Sequence, residues 1–198
     1  MRQESRKFKQ CQLCCCKLVN TLAAIQKHAS LLSKVSIERV RDEFSRILAC
    51  PHRVRGFDLM VDSGLMAEVL PEILQLRGCD QPPEFHPEGD VFVHTRLMLE
   101  KLQCDAALPL VLSVLLHDIA KPATRTWDED ACRVRFNGHD SLGAEMSEQI
   151  LRRMKYPNEI IEQVREAVQC HMRFITVQKM RVAKLKRFMS RPHFDQEL

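Results

Sequence analysis

Five side chains in this 198-residue sequence have the types and placement to share one piece of chemistry: His94, the adjacent pair His117-Asp118, His139 and His171. Imidazole nitrogens and a carboxylate oxygen suit a borderline or hard divalent cation. The apolar run Leu108–Leu116 leads straight into His117-Asp118, followed by Ile119-Ala120-Lys121-Pro122. Pro122 is expected to stop that helix, which places the pair in its last turn at the edge of a buried element. Taken alone, the pair reads more readily as a helix-end histidine satisfied by a carbonyl, with Asp118 capping the next turn. His94 follows Val91-Phe92-Val93 in a helical pattern, His139 opens the next helix after Phe136-Asn137-Gly138, and His171 ends the one after that. A histidine among apolar residues is costly without a partner. Four on consecutive helices, one joined to an aspartate, point to a shared metal more than to four separate core histidines.

Other groups carry weaker signals. Between Ala167 and Phe194 there is no Asp or Glu, but there are Arg173, Lys179, Arg181, Lys184, Lys186, Arg187 and Arg191. Val177, Met180, Leu185, Phe188 and Met189 give this stretch an apolar side, so the charges should form one face, either simply solvated or made for a polyanion. Cys11-Gln12-Leu13-Cys14-Cys15-Cys16 could bind zinc, but no second Cys pair stands at finger spacing. It reads rather as a reactive or incidental thiol tract. Asp128-Glu129-Asp130 has the spacing of a two-metal carboxylate pair, yet no phosphate-holding Gly-Gly or Gly-Ser turn precedes it, and it reads as solvated loop. No Gly-Lys-Ser/Thr phosphate loop occurs.

His94, His117-Asp118 with Lys121-Pro122, His139 and His171 resemble the HD superfamily of metal-dependent phosphohydrolases. Longer strings resemble one branch more closely. Phe85-His86-Pro87-Glu88-Gly89-Asp90-Val91-Phe92-Val93-His94-Thr95, Leu115-Leu116-His117-Asp118-Ile119-Ala120-Lys121-Pro122 and Arg135-Phe136-Asn137-Gly138-His139-Asp140 look like the C-terminal part of bacterial CCA-adding tRNA nucleotidyltransferases and related poly(A) polymerases. So does Ile37-Glu38-Arg39-Val40-Arg41-Asp42-Glu43-Phe44, which is similar to the body segment joining that part. The resemblance covers roughly residues 18 to 191.

It implies His94, His117, Asp118 and His139 as ligands of a divalent metal (Ni, Mn, Co or Mg), with His171 a fifth or a second-site ligand. A metal so held lowers the pKa of water from about 15.7 toward neutrality, for attack on a phosphomonoester or a 2',3'-cyclic phosphate. Lys121 would neutralise phosphate charge, Arg125 is a weaker candidate for that task, and Asp118 would double as proton acceptor. Many HD enzymes end the ligand set with a late Asp; after His171 this sequence has only Asp195, so a site with His in that place and a degenerate one both fit. RNA, tRNA-like, is the implied partner of Arg173, Lys179, Arg181, Lys184, Lys186 and Arg187. The polymerase head of that family has no counterpart in these 198 residues. The chain is therefore not expected to add nucleotides by itself, and it reads as an HD phosphohydrolase, an inactive RNA-binding piece, or one half of a split enzyme with a separate head.

Positioning such a site requires helices. Apolar residues recur at three- and four-residue spacing from Leu18 onward, Ser36 is placed to cap a helix carrying Val40, Phe44, Ile47 and Leu48, and Pro51 opens a third helix ending at Gly64. Pro71 limits a short fourth one. Arg77–Asp90, with three Pro and two Gly, is loop. Helical patterns return at Val91–Leu102, Ala107–Ile119, Ser141–Met154, Pro157–His171 and Val177–Met189; Arg133-Val134-Arg135-Phe136 offers at most a short extended segment. The expectation is an all-α protein, divided into a basic Cys-rich extension (1–17), a helical body segment (18–76), an HD-type helical bundle (77–175) and a basic helix (176–198). A hydrophobic fraction of 45% and a charged fraction of 28% exclude wholesale disorder. The longest apolar run is about half of what a membrane span needs. Nine cysteines, an odd number, with Lys17 and Asn20 breaking any signal-peptide core, favour a cytoplasmic protein with reduced thiols.

Overall fold

A computed structural model describes residues 20–198 except 83, 85, 86, 192, 193 and 195–198, so the Cys11–Cys16 cluster and Asp195 lie outside the described residues. The chain is mainly helical. Residues 20–28 are helical and run into a 3-10 turn, Ala29–Lys34. Then come α1 (Ile37–Ala49), α2 (Arg53–Asp62), α3 (Leu65–Val69) and α4 (Pro71–Leu74). After the loop follow α5 (Val91–Lys101), α6 (Leu108–Leu116) and α7 (Lys121–Thr124). A hairpin of β1 (Thr126–Asp128) and β2 (Arg133–Arg135) precedes α8 (His139–Arg153), α9 (Asn158–Ile175) and α10 (Val182–Met189).

Helix α6 is the axis of the core. Its residues Val111, Leu112, Leu115 and Leu116 are buried, and it packs against α9, α5 and α1. Apolar residues all round a nine-residue helix leave it no face for solvent. One continuous cluster runs from Phe44 and Leu48 of α1, through Phe57, Met60, Met66 and Ile73, to Val91, Leu99, Ile150, Val164 and Val168. Helices α8 and α9 form an antiparallel pair. Gly143 permits the close approach there, because a Cβ at that position would lie 3.3 Å from Val168 Cγ1 and 3.6 Å from the His117 carbonyl oxygen. A smaller cluster, Cys170, Phe188 and Phe194 with Phe174, Val177 and Met180 against it, holds α10 to the end of α9.

Several element boundaries differ from those expected. Helix α6 ends at Leu116, with His117 as its C-cap, well before Pro122. Pro122 instead sits in the first turn of α7, where a missing N–H leaves no bond unmade. Helix α9 continues one turn past His171, to Ile175. The Val177–Met189 pattern is broken into a 3-10 turn, Val177–Lys179, and α10, with Arg181 extended between them. Within it Phe188 is buried but Met189 is 52% exposed. Ser36 holds the N-cap position of α1, but its hydroxyl makes no capping bond. Thr126–Asp128 pairs with Arg133–Arg135 in antiparallel register, Trp127 opposite Val134, so among the described residues one small sheet accompanies the helices. Asp128 is part of that hairpin: it accepts from the Ala131 amide and pairs with Arg135, while Glu129 and Asp130 are exposed at its tip. Among the described residues no helix is long and apolar enough to cross a membrane.

Candidate metal centre

Each histidine of the cluster is fixed through Nδ1. His117 Nδ1 donates to the Val114 carbonyl (2.8 Å), His139 Nδ1 to that of Phe136 (2.7 Å) and His171 Nδ1 to that of Val168 (2.5 Å). In all three the acceptor lies three residues earlier, where a helical turn or its approach leaves a carbonyl within reach. His94, in the first turn of α5, is held by the Glu88 carboxylate at the same nitrogen. Carbonyls and carboxylates accept, so Nδ1 carries a hydrogen, which leaves Nε2 of each ring, when neutral, as the nitrogen with a lone pair. Orientation of a ligating histidine through its other nitrogen is the usual support for a metal site.

All four Nε2 atoms face Asp118, which is 2% exposed. The His117 and His94 Nε2 atoms lie 3.0 and 3.9 Å from Asp118 Oδ2, and those of His139 and His171 lie 3.6 and 3.9 Å from Oδ1. Two triads result, His94–His117–Asp118 and Asp118–His139–His171, and within each the donor atoms lie within 4.8 Å of one another. Asp118 belongs to both, one oxygen to each side.

The donor set fits a divalent cation. His139 Nε2 and His171 Nε2 approach to 3.2 Å, although both rings carry their hydrogen on Nδ1, so two lone pairs face each other. A shared cation turns that repulsion into ligation. Asp118 Oδ2 is buried and no contact on it meets hydrogen-bonding geometry, even with Lys121 Nζ at 2.8 Å as an ion-pair partner. Burial penalises charge on His117, but Asp118 and the Val114 carbonyl outweigh it and raise the imidazole above its ordinary pKa. Burial also pushes the Asp118 carboxyl up, and His117 and Lys121 outweigh it, holding the group well below the usual carboxylate range. His171 is pushed down to about 4, chiefly by burial, and is neutral at pH 7.

The cluster forms one wall of a pocket of about 700 Å³. Met98, Leu110, Val114 and Phe174 make an apolar side, and the hairpin contributes Arg133, Val134 and Arg135. Lys121 lines the pocket too, 5% exposed, with its ammonium committed to Asp118 and Gln81 and lying 5.4 Å over the Phe136 ring. Arg125 is not brought to this pocket; it lines a separate shallow recess with Thr126, Trp127 and Val134. Arg173, Lys179, Arg181, Lys184, Lys186 and Arg187 are exposed along the end of α9, the 3-10 turn and α10, outside the pocket lining. Arg191 instead pairs with Glu166 (3.3 Å) and packs over Phe188.

Sequence reasoning missed Glu88, Gln81, Arg133 and Arg135 as parts of this site. Glu88 and Gln81 lie in a loop, where no periodicity ties a residue to a face. Arg133 and Arg135 alternate with Val134, and that alternation was the available signal.

Comparison with known proteins places these residues in two matched segments. Residues 90–191 match the family described as HD domain, and residues 19–76 match the family described as probable RNA and SrmB-binding site of polymerase A. An A-adding tRNA nucleotidyltransferase of Deinococcus radiodurans is 39% identical over 138 residues, 68% of this chain and 31% of the relative. A CC-adding tRNA nucleotidyltransferase of Thermus thermophilus is 34% identical over 158 residues, 77% of this chain and 36% of the relative. A multifunctional CCA protein of Cupriavidus metallidurans is 36% identical over 126 residues, 63% and 30% respectively. The chain thus spans about a third of the length of the curated relatives it matches.

Proposed function

This chain belongs to the HD-domain family, fitting the HD-bearing C-terminal part of the CCA-adding tRNA nucleotidyltransferases, and on that premise we propose that it is a metal-dependent phosphohydrolase acting in RNA processing. The substrate class is a phosphomonoester or a 2',3'-cyclic phosphodiester. The observation that carries this reading is the convergence of four oriented histidine Nε2 atoms on the buried Asp118 in the wall of one pocket.

His94, His117, Asp118, His139 and His171 would hold the cation. A divalent ion supplies Lewis acidity there, activating water and polarising a phosphoryl oxygen. The chain's own groups do the rest. The carbonyls of Val114, Phe136 and Val168 and the Glu88 carboxylate keep the four rings turned, so their Nε2 lone pairs need no reorganisation. Asp118, kept ionised by His117 and Lys121, is the group within reach to take a proton. Lys121 adds positive charge at the pocket edge, where phosphate charge must be met. Arg173, Lys179, Arg181, Lys184, Lys186 and Arg187 would engage the phosphates of a tRNA-like partner. Among the described residues Cys50, Cys79, Cys104 and Cys132 are free thiols, which suits the reducing cytoplasm in which we place the protein.

The test is hydrolysis of a nucleoside 2',3'-cyclic phosphate with Ni²⁺, Mn²⁺, Co²⁺ or Mg²⁺ added, comparing the protein with His117→Ala. Turnover that the substitution abolishes is expected; no turnover with any metal contradicts the reading. An inactive RNA-binding piece is the second reading, favoured by the RNA-binding match over residues 19–76. It predicts tRNA binding with no metal-dependent turnover.

A further inference from the structure

Gln81 is the most deeply buried polar group of the pocket wall that the proposed mechanism does not use. It is 4% exposed and lines the same pocket as His94, His117, Asp118 and Lys121. Its backbone is pinned: the Gln81 amide donates to the Gly89 carbonyl (2.7 Å), Asp80 bridges to Asp90, and the Val91 amide donates to the Cys79 carbonyl (3.1 Å). The strand-like segment that carries Gln81 is therefore tied to the turn that carries Glu88 and starts the helix of His94.

The orientation of the Gln81 amide is settled chemically. Lys121 Nζ donates to Oε1, and an ammonium has no lone pair to accept with, so the oxygen must face Lys121 and the NH₂ must face away. That Nε2 is buried and has no hydrogen-bond partner among the described residues. A buried donor left without an acceptor is rare in folded proteins and calls for a group that arrives later. The missing partner is an acceptor, and in a pocket that already holds Lys121 and a set of cation ligands an oxygen of an anion suits it best.

We propose that Gln81 is a substrate-binding residue whose Nε2 donates to a phosphoryl oxygen of the ligand, with Lys121 setting the amide's orientation. This inference rests on the metal-dependent phosphohydrolase reading. It assigns Gln81 to recognition of the phosphoryl group, and it gives Lys121 a second task besides its ion pair with Asp118.

Titration of the Mg²⁺-loaded full chain with inorganic phosphate, followed by calorimetry, tests it in the protein, in Gln81→Met and in Gln81→Glu. The first variant removes the donor without adding charge; the second keeps an oxygen for Lys121 and replaces the donor by an acceptor. Phosphate affinity should fall about tenfold to a hundredfold in both, the range for a lost hydrogen bond to a charged group, with the bound-metal content unchanged. In the unsubstituted protein the side-chain NH₂ resonances of Gln81 should shift as phosphate is added, a readout that needs no variant to fold. Affinities within twofold of the unsubstituted protein, or NH₂ resonances that do not move, overturn the assignment while leaving the metal centre standing. If the metal-loaded protein binds no phosphate at all, both this inference and the phosphohydrolase reading fail.

Discussion

A histidine becomes a usable ligand only when its ring is held, and here four rings are held by one local device, an acceptor on Nδ1. Three of those acceptors are carbonyls three residues back in the chain, supplied by a helical turn for His117 and His171 and by the turn leading into α8 for His139. The fourth is a side chain, Glu88, and it can be removed without touching the backbone. Glu88→Ala should weaken divalent-metal binding by about tenfold to a hundredfold, the usual cost of losing an outer partner of a ligating histidine. The thermal midpoint of the metal-free protein should barely change, because Glu88 lies in a turn outside the hydrophobic core. Metal titration of both forms checks this; equal affinities would mean that Glu88 does not set the His94 ring. The five side chains singled out by residue type and spacing do come together around Asp118. What pattern could not supply were Glu88 and Gln81. Both act across a turn whose geometry depends on the Asp80–Asp90 bridge and the Gln81–Gly89 hydrogen bond, and neither is encoded in any repeat of apolar residues.

At the scale of elements, the helices were legible from apolar spacing, while their ends were set by tertiary contacts. Pro122 reads as a stop in sequence, yet α6 ends at Leu116 and the proline starts α7, since the chain must turn to bring Asp118 beneath the histidines. The break at Arg181 was hidden because Val177, Met180 and Phe188 keep an apolar rhythm across it. Docking of α1 and α4 onto the end of α8 was also invisible, being made by polar pairs remote in sequence. Arg41 donates to the Lys155 carbonyl (2.5 Å), Lys155 pairs with Glu38 (2.6 Å), Ser45 bonds the Tyr156 hydroxyl (2.8 Å), and Arg153 grips Glu72 at 2.5 and 3.0 Å. Burial pushes the Glu72 carboxyl up, and Arg153 outweighs it, so its pKa lies below the ordinary value. A carboxyl depressed by folding contributes stability that is fully present above the unfolded-state value of about 4.3 and is lost as pH falls through the lower folded value. With Arg153 47% exposed, the pair should contribute about 0.5–1 kcal/mol. Glu72→Gln is therefore expected to lower the thermal midpoint by roughly 1–4 °C at pH 7, and the difference should shrink as pH falls below the ordinary carboxylate range and Glu72 takes up its proton. A difference that persists at low pH would show that packing, not the ion pair, is responsible.

The whole molecule joins two matched segments through one hydrophobic core: Phe44, Leu48 and Phe57 of the first belong to the same buried cluster as Leu112, Leu151 and Val168 of the second. The His/Asp cluster and the segment that matches the RNA-binding family are thus parts of a single packed unit. The net charge of +4 is an average. It conceals the exposed residues Arg173, Lys179, Arg181, Lys184, Lys186 and Arg187, none of which makes an ion pair among the described residues. If these cations meet phosphates, tRNA affinity must fall steeply with salt, because each contact releases counterions. Replacing Lys184, Lys186 and Arg187 by alanine should weaken binding and reduce the salt slope by about 2–3. Filter binding at several salt concentrations reads both quantities, and a slope unchanged by the triple substitution would place the RNA elsewhere on the molecule.

If the histidines and Asp118 form a metal centre, metal content after dialysis against divalent cations must reveal it. Bound Ni²⁺, Mn²⁺ or Co²⁺ close to stoichiometric with the chain is the result predicted, lost in His117→Ala while the helical circular dichroism remains. A protein that binds none of these ions, or a His117→Ala variant that binds them as well as the unsubstituted chain, would contradict it.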